Sequence, residues 1–285
     1  MILLSGENRS IAHYLLPRLR DVHQVCSFGP DKGDINNGSF LNNIFRDIAP
    51  TVFINLEQVD DSDDAEVYRE WAYNSNSFAP LKIAEICSKQ DIFLVHISTT
   101  EVYPSDDKKL FDEDDTTDPV SVFSDSKLLG EKYIRESGCR YAILRLPCVY
   151  GINDNFLELF FKTAFENRTI RIIKDQKFMP IYAGDVASAI LSIIDKQIEG
   201  IYNFAGSDQV TMYQFLFRAF DIYNEVKKTN LSPDVQEVPF EDYLSHADQL
   251  LANLVNSARF VGKTGINTVS YEEGLKMFAK DLHYE

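Results

Sequence analysis

The chain has 285 residues, of which 45% are hydrophobic and 25% are charged, a composition typical of a soluble globular protein with one large domain or two interleaved lobes. Its 44 acidic residues outnumber its 28 basic residues, and the net charge is −16. No block of lysine and arginine supplies the basic surface that nucleic acids require, so we exclude nucleic acid as a partner.

Short apolar runs alternate with segments of helical period through the first two thirds of the chain. The predicted strands are 2–5, 22–28, 52–56, 92–98, 141–146 and 170–173. The predicted helices between them are 11–19, 66–89, 124–136 and 155–167. This alternation predicts an α/β fold, a Rossmann-like doubly wound parallel sheet with helices on both faces.

The last third of the chain has a different pattern, which predicts a smaller C-terminal cap lobe. Its predicted elements are a helix at 184–197, a strand at 200–204, and helices at 212–224, 240–253 and 271–281. We assign 1–147 and 182–206 to the Rossmann-like lobe, and 148–181 and 207–285 to the cap lobe.

Neither the cysteines nor the acidic runs predict a metal site. The four cysteines are far apart and form no C-x-x-C pair, which favours reduced thiols. The acidic runs 60–64 and 112–115 lack the glycine turn and the terminal glutamate of a calcium loop. Met1 leads directly into a strand-like run, and no stretch of 18 apolar residues is present. We therefore expect a cytoplasmic protein with no membrane segment.

A ligand-binding crevice is expected at one edge of the predicted sheet. Gly6 lies between the first strand and the first helix, which is the context of a dinucleotide-binding loop. Ligands of parallel sheets bind outside the carboxyl ends of the strands. Gly6, Asn55 and Thr99 should therefore line this crevice.

The loop that begins at Gly6 resembles the G-x-x-G-x-x-G loop of extended short-chain dehydrogenases, but Arg9 replaces its second glycine and Ala12 its third. The second glycine lets the backbone approach a pyrophosphate, and a long side chain obstructs that approach. Arg9 has two interpretations: it reaches a 2′-phosphate of NADP, or it is a surface arginine released from constraint. No acidic residue follows the second strand at 28–30, so the ribose contact typical of NAD lacks support.

Thr99 and the segment from Val122 to Lys127 have the layout of a short-chain dehydrogenase active site. In that layout a serine or threonine closes one strand, and a tyrosine lies four residues before a lysine. The tyrosine donates a proton to the carbonyl while a nicotinamide cofactor donates the hydride. Phe123 occupies the tyrosine position, and it has no proton to give.

From Gly6 to about Gly206 the chain resembles dTDP-4-dehydrorhamnose reductases, which act on nucleotide sugars. The resemblance is carried by short motifs in the family's order, at 33–35, 54–55, 63–66, 72–76, 96–99, 126–128, 130–131, 144–145, 149–151, 155–156, 180–185 and 200–206. Each motif alone is weak, whereas their order and spacing over some two hundred residues are specific.

The resemblance implies a role for several groups of residues. The catalytic positions are Thr99, Phe123 and Lys127, and in the family the lysine binds the nicotinamide ribose and lowers the pKa of the tyrosine. The cofactor, NADP or NAD if any is bound, is expected to contact Gly6, Asn8, Arg9, Asp34, Ile35, Asn55, Asn76 and Lys127. The sugar substrate is expected to contact Thr100, Glu101, Cys148 and Asn155.

The chain departs from the family where the chemistry takes place. The family has small alanines under the cofactor, whereas this chain has Leu56, Glu57 and Gln58. The carboxylate of Glu57 would repel a pyrophosphate. Tyr103 and Tyr150 are alternative positions for a displaced acid, although Tyr150 matches a structural tyrosine of the family.

Three hypotheses follow from this pattern. The first is a catalytically impaired reductase scaffold that binds a nucleotide or nucleotide sugar, or that regulates a partner protein, as the β subunit of methionine adenosyltransferase does. The second is an active NAD(P)H-dependent nucleotide-sugar 4-reductase or epimerase of deoxysugar or polysaccharide biosynthesis. The third is a structural role without a ligand. The expected partners are a nucleotide sugar or a protein, and a homodimer is possible.

Overall fold

The computed structural model describes residues 1–153, 155–243 and 245–283, and the side chain of Asn155 lies outside its described part. The strands are β1 Ile2–Ser5, β2 Val25–Phe28, β3 Val52–Asn55, β4 Phe93–Thr99, β5 Tyr141–Leu146, β6 Val149–Tyr150, β7 Ile170–Ile173, β8 Lys177–Phe178, β9 Ile181–Tyr182, β10 Gly200–Asn203, β11 Val210–Thr211, β12 Val235–Val238 and β13 Ala252–Asn253. The α-helices are α1 Ser10–Val22, α2 Gly38–Ile48, α3 Ser62–Val67, α4 Arg69–Tyr73, α5 Ala79–Gln90, α6 Val122–Glu136, α7 Asn155–Phe165, α8 Ala183–Lys196, α9 Met212–Lys227, α10 Ala258–Thr264 and α11 Tyr271–Asp281.

The main sheet has six strands in the order β10-β5-β4-β3-β1-β2, and every neighbouring pair is parallel. This confirms the predicted Rossmann-like α/β fold. Ser5 lies opposite Phe28 on one side and Asn55 on the other, so β1 separates two strands that follow it in sequence. Such a reversal of strand order opens a crevice at the carboxyl ends of the strands.

Helices cover both faces of the main sheet. Successive side chains of a strand point to opposite faces, so each strand contributes to both apolar layers. Ile2 and Leu4 face the helices α1 and α8, and Leu3 faces the helices α2 and α5. All four residues of β1 are buried, which explains why this strand is a continuous apolar run in the sequence.

A second apolar cluster lies outside the main sheet. Phe161, Phe215 and Phe278 bring α7, α9 and α11 together there. The predicted strand 170–173 belongs to this region, where β7 pairs with β12 in a parallel two-stranded sheet. Phe260 of α10 packs instead in the cluster of the main sheet. The boundaries 1–147, 182–206, 148–181 and 207–285 of the two lobes stay a prediction.

The predicted helix 240–253 is wrong. A single 3₁₀ turn, Phe240–Asp242, and the short strand β13 stand in its place, with Leu244 outside the described residues. The carboxylate of Asp63 accepts the N–H groups of His246 and Ala247, which a helix would use internally. A contact with a residue more than 180 positions away thus overrides the local sequence preference.

The predicted helix 66–89 is interrupted. It consists of the end of α3, a break at Tyr68, α4, a π-helical segment Asn74–Phe78, and α5. Gly130 of α6 packs closely against the π-helical segment. A Cβ at this position would lie 2.1 Å from the carbonyl oxygen of Asn76, so only glycine allows this approach. The wider π turn therefore brings α6 and the side chain of Asn76 close together.

Two helices were not predicted from the sequence, α2 and α10. The helix α2 has clear signals, since Asn37 caps its first N–H groups, and Leu41 and Phe45 are buried at a spacing of four residues. No helix among the described residues has the length and apolar character that crossing a membrane requires.

Candidate active site

The helix α6 carries two of the predicted catalytic positions into the crevice. Ser121 and Ser124 form a capping box that fixes its start, and the N–H of Val122 donates to Glu66 Oε1 at 2.7 Å. Phe123 and Lys127 are four residues apart, so they lie on the same face of the helix. Lys127 reaches the carbonyl oxygen of Ile97 in β4, and Phe123 packs against Val59 and Ala65.

The ammonium group of Lys127 is buried and already has two hydrogen-bond acceptors. Its Nζ donates to Gln58 Oε1 at 2.7 Å and to the carbonyl oxygen of Ile97 at 2.6 Å. Burial lowers the pKa of Lys127 to about 7, against the opposing charge of Glu131. The amide oxygen of Gln58 and the carbonyl oxygen of Ile97 thus satisfy two of the three N–H donors of this ammonium group.

Phe123 packs in a small apolar cluster rather than facing an open site. It is 5% exposed and shares this cluster with Val59, Ala65 and Ala72. Tyr73 packs against the cluster, but its hydroxyl donates to Asp125, and burial raises its pKa to about 12. The environment of Phe123 thus suits an apolar ring.

The end of β4 presents a threonine and an unpaired carboxyl group. Thr99 is buried, and its Oγ1 accepts the N–H of Glu101 at 3.1 Å. The next residue, Thr100, is buried, and its hydroxyl lies 3.5 Å from the carbonyl oxygen of Leu146. Within the described part of the chain, the half-buried carboxyl of Glu101 has no hydrogen-bond or ion-pair partner. Burial raises its pKa to about 7.

The two tyrosines considered as displaced acids are both occupied elsewhere. The hydroxyl of Tyr103 donates to Asn203 Oδ1 at 3.1 Å and accepts from Arg145. The hydroxyl of Tyr150 donates to the carbonyl oxygen of Tyr271 at 3.1 Å, and burial raises its pKa. Each of these rings is 1% exposed, so neither is available to a substrate.

Arg9 forms ion pairs across the crevice. Its Nη1 lies 2.8 Å from Asp60 Oδ2, its Nη2 lies 3.1 Å from Glu57 Oε1, and it also donates to the carbonyl oxygen of Gln58. Burial lowers the pKa of Arg9, but the charges of Asp60 and Glu57 outweigh this effect and raise it. Arg9 is therefore held by partners within the chain, and its contact with a phosphate stays a prediction.

Residues 57–60, called here the crevice segment, are held in place along their whole length. Asn76 clamps their middle, since its Oδ1 accepts the N–H of Val59 at 3.0 Å and its Nδ2 donates to the Val59 carbonyl at 2.9 Å. The same Nδ2 donates to Ser126 Oγ at 3.0 Å, which links the clamp to α6. The crevice segment thus spans from the glycine loop at Arg9 to the lysine of α6.

The sequence model of the RmlD substrate binding domain family matches residues 1–284. The chain belongs to this family. A dTDP-4-dehydrorhamnose reductase of Aggregatibacter actinomycetemcomitans is 26% identical over 275 residues, which cover 94% of this chain and 93% of the relative. The methionine adenosyltransferase 2 subunit beta of Xenopus tropicalis is 27% identical over 204 residues, or 68% of this chain and 60% of the relative.

The solved structures give the same fold. The dTDP-4-dehydrorhamnose reductase of Bacillus anthracis, determined in complex with NADP, superposes with a TM-score of 0.91 and covers 99% of each chain at 23% identity. The RmlD fold is therefore retained over the whole chain.

Two of the predicted cofactor residues, Asn55 and Asp34, have side-chain partners within the chain. The side chain of Asn55 is buried, accepts from Ser5 Oγ at 2.7 Å and lies 3.1 Å from His96 Nδ1. Asp34 accepts the N–H and the amide of Asn36, which makes it a turn residue. The cofactor roles of both residues stay predictions.

The other predicted positions have varied environments. Gly6 has φ +79°, and a Cβ there would lie 2.9 Å from the backbone of Leu56 and Glu57. Ile35 belongs to the core, and Cys148 is half-buried. A Cβ at Gly29 would lie 3.2 Å from Asn8 Oδ1, which places Asn8 beside the end of β2. Among described residues, no cluster of histidine, cysteine, aspartate or glutamate has a metal-binding arrangement.

The sequence does not indicate that Val59 and Asp60 belong to the site, or that Lys127 is a partner of Gln58. The sequence does indicate that positions 57 and 58 are unusual, because Glu57 and Gln58 replace the small alanines of the family. Their partners lie 48 and 69 positions away, at Arg9 and Lys127, and only the folded chain brings these side chains together.

Proposed function

We propose that this chain is an RmlD-family protein that does not reduce a carbonyl, and that its crevice serves to bind a nucleotide or nucleotide sugar, or to support regulation of a partner protein. The observation that carries this proposal is the position of Phe123. In the sequence it takes the position that corresponds to the proton donor of the family, and its ring packs in an apolar cluster. General-acid catalysis typically contributes a rate factor of about 10²–10⁴, and this contribution is absent here.

With its side chains arranged as in this structure, the crevice does not fit a nicotinamide dinucleotide. Glu57 and Asp60 hold Arg9 beside the glycine loop, and Gln58 holds Lys127. The N–H of Glu7, in the glycine loop, donates to the carbonyl oxygen of Phe28 at 3.2 Å instead of pointing to a ligand. The reductase of Bacillus anthracis holds NADP, which supports a nucleotide as the class of ligand for this fold. No hydride step is therefore assigned to this chain.

A second candidate function is favoured by Glu101. A half-buried carboxyl group with a pKa of about 7 is partly protonated at neutral pH and has the property of a general acid. An active 4-reductase of deoxysugar or polysaccharide biosynthesis would use this group in place of a tyrosine. This candidate predicts that turnover depends on Glu101.

The two candidates are separated by a turnover assay. NADPH and NADH oxidation are followed with dTDP-4-keto-6-deoxy sugars, while calorimetry measures the binding of dTDP and dTDP-glucose. The proposal predicts binding of the nucleotide sugar and a rate of oxidation equal to the background. Turnover that exceeds the background and disappears in Glu101→Gln would establish the second candidate instead.

A further inference from the structure

The crevice segment brings two carboxylates to Arg9 and a neutral amide oxygen to Lys127. Two carboxylates, Glu57 and Asp60, lie on the guanidinium of Arg9, where they present anionic oxygens at 3.1 Å and 2.8 Å. Arginine binds phosphate and carboxylate oxygens with the same planar array of donors. Arg9 is also the first residue before α1, and this helix has no side-chain cap. The start of α1 is therefore a favourable place for an anion, and carboxylates of the chain itself lie beside it.

The other end of the segment presents a neutral oxygen to a buried cation. Gln58 Oε1 accepts from Lys127 Nζ, as a hydroxyl oxygen of a ribose would. Val59 lies between these polar ends and packs against Phe123. Along the segment, the anionic Glu57 and Asp60 contact a cation, the neutral Gln58 accepts from an ammonium group, and the apolar Val59 packs against an apolar ring.

We infer that residues 57–60 are an internal substitute for a nucleotide, which closes a phosphate-binding site built around Arg9. A nucleoside diphosphate then enters only by exchange, when its phosphates displace Glu57 and Asp60 from the guanidinium. The closed form reduces the apparent affinity by the fraction of molecules that are open. The inference rests on the proposed function in placing a nucleotide in this crevice.

The test removes the charge of the internal anions. In the full chain, Glu57→Gln and Asp60→Asn are combined, and the binding of ADP and of NADPH is measured by calorimetry and by nicotinamide fluorescence. Both ligands are expected to bind at least about tenfold more tightly than to the wild type, because the open fraction rises and the repulsion of phosphate falls. Adding Arg9→Ala to the double variant is expected to abolish the gain.

A matched control exists in the cap region. Arg218 also has two carboxylate partners, Glu225 at 3.2 Å and Glu272 at 2.8 Å. The variant Glu225→Gln/Glu272→Gln changes the net charge by the same amount, from −16 to −14 after the loss of two acidic charges. It is expected to bind ADP and NADPH as the wild type does.

Several results would overturn the inference. One is an unchanged affinity in the Glu57/Asp60 variant, another is an equal gain in the Arg218 control, and a third is a gain that persists without Arg9. If the double variant loses cooperative unfolding, Gln58→Ala decides. It frees Lys127 and is expected to tighten the binding of NADPH, which carries the second ribose that ADP lacks, and an unchanged affinity for NADPH would overturn the inference. Failure of the proposed function is a separate result, because it requires turnover of a sugar substrate rather than a change in nucleotide affinity.

Discussion

The side chains that share a cluster with Phe123 are apolar, so a hydroxyl added to its ring meets no hydrogen-bond partner among them. The ring contacts Val59, Ala65 and Ala72, which are themselves buried, and the nearby Lys127 donates to Gln58 and Ile97. The lysine that the family resemblance places beside a proton donor already donates two hydrogen bonds within the chain, so a tyrosine at position 123 enters a site whose polar contacts are arranged without it.

We predict that Phe123→Tyr destabilises the protein and restores no reductase activity. A buried hydroxyl without a partner costs about 1–3 kcal/mol. Urea unfolding measures this loss, and Phe78→Tyr is the control, since Phe78 is 40% exposed and its change is expected to be neutral. Unchanged stability together with NADPH-dependent turnover in Phe123→Tyr would mean that the site is intact except for the acid.

Glu101 gives the protein a defined dependence of stability on pH. Burial raises its pKa in the folded protein to about 7 from 4.5, so the folded state retains a proton that the unfolded state has lost. Its contribution to stability is thus lost as the pH rises from about 4.5 through about 7. Glutamine stays neutral, so Glu101→Gln is expected to stabilise the protein by about 2 kcal/mol more at pH 8 than at pH 5. Urea unfolding of both proteins at these pH values checks this, and an equal difference at both would refute it.

Helices and strands could be predicted from the sequence where short local patterns determine them. Alternating apolar runs predicted the strands of the main sheet, and Asn37 with the spacing of Leu41 and Phe45 would have predicted α2 as well. The failure at 240–253 has a different cause. The backbone of that region is held by Asp63, a residue of a distant helix, and local propensity carries no information about such a contact.

Asp63 joins α3 to the loop at 245–247, and we predict that this loop opens without it. Its Oδ1 accepts the hydroxyl of Ser245 at 2.6 Å and the N–H groups of His246 and Ala247 at 2.9 Å each. Asp63→Ala leaves these donors without their acceptor and is expected to reduce stability by about 1–3 kcal/mol. Amide hydrogen exchange of the loop should accelerate as well.

The neighbouring Asp64 provides the control for that change, because it is exposed and lies in the same helix. Asp64→Ala is expected to leave the exchange of residues 245–247 unchanged. Equal acceleration in both variants would show that the helix as a whole, rather than the Asp63 carboxylate, holds the loop.

In the whole molecule, the fold and the crevice depend on different kinds of sequence information: the fold depends on local patterns, and the crevice depends on contacts between distant residues. The parallel sheet and the order of motifs were predictable, because they depend on short segments with strong periodicity. The buried ion pair of Arg145 and Glu131, at 2.6 Å, likewise joins β5 to α6 within predicted motifs. The closure of the crevice was not predictable, since it depends on pairs such as Arg9–Glu57 and Lys127–Gln58 that are distant in sequence.

The most direct test of the account is the transfer of hydride itself. NADPH deuterated at the transferable position of its nicotinamide ring is incubated with the protein and a dTDP-4-keto-6-deoxy sugar, and mass spectrometry measures deuterium in the recovered sugar. We predict no deuterium above that found with heat-inactivated protein, because Phe123 donates no proton and the crevice segment holds Arg9 and Lys127. Deuterium on the sugar carbon, in an amount proportional to the concentration of the wild-type protein, would contradict it.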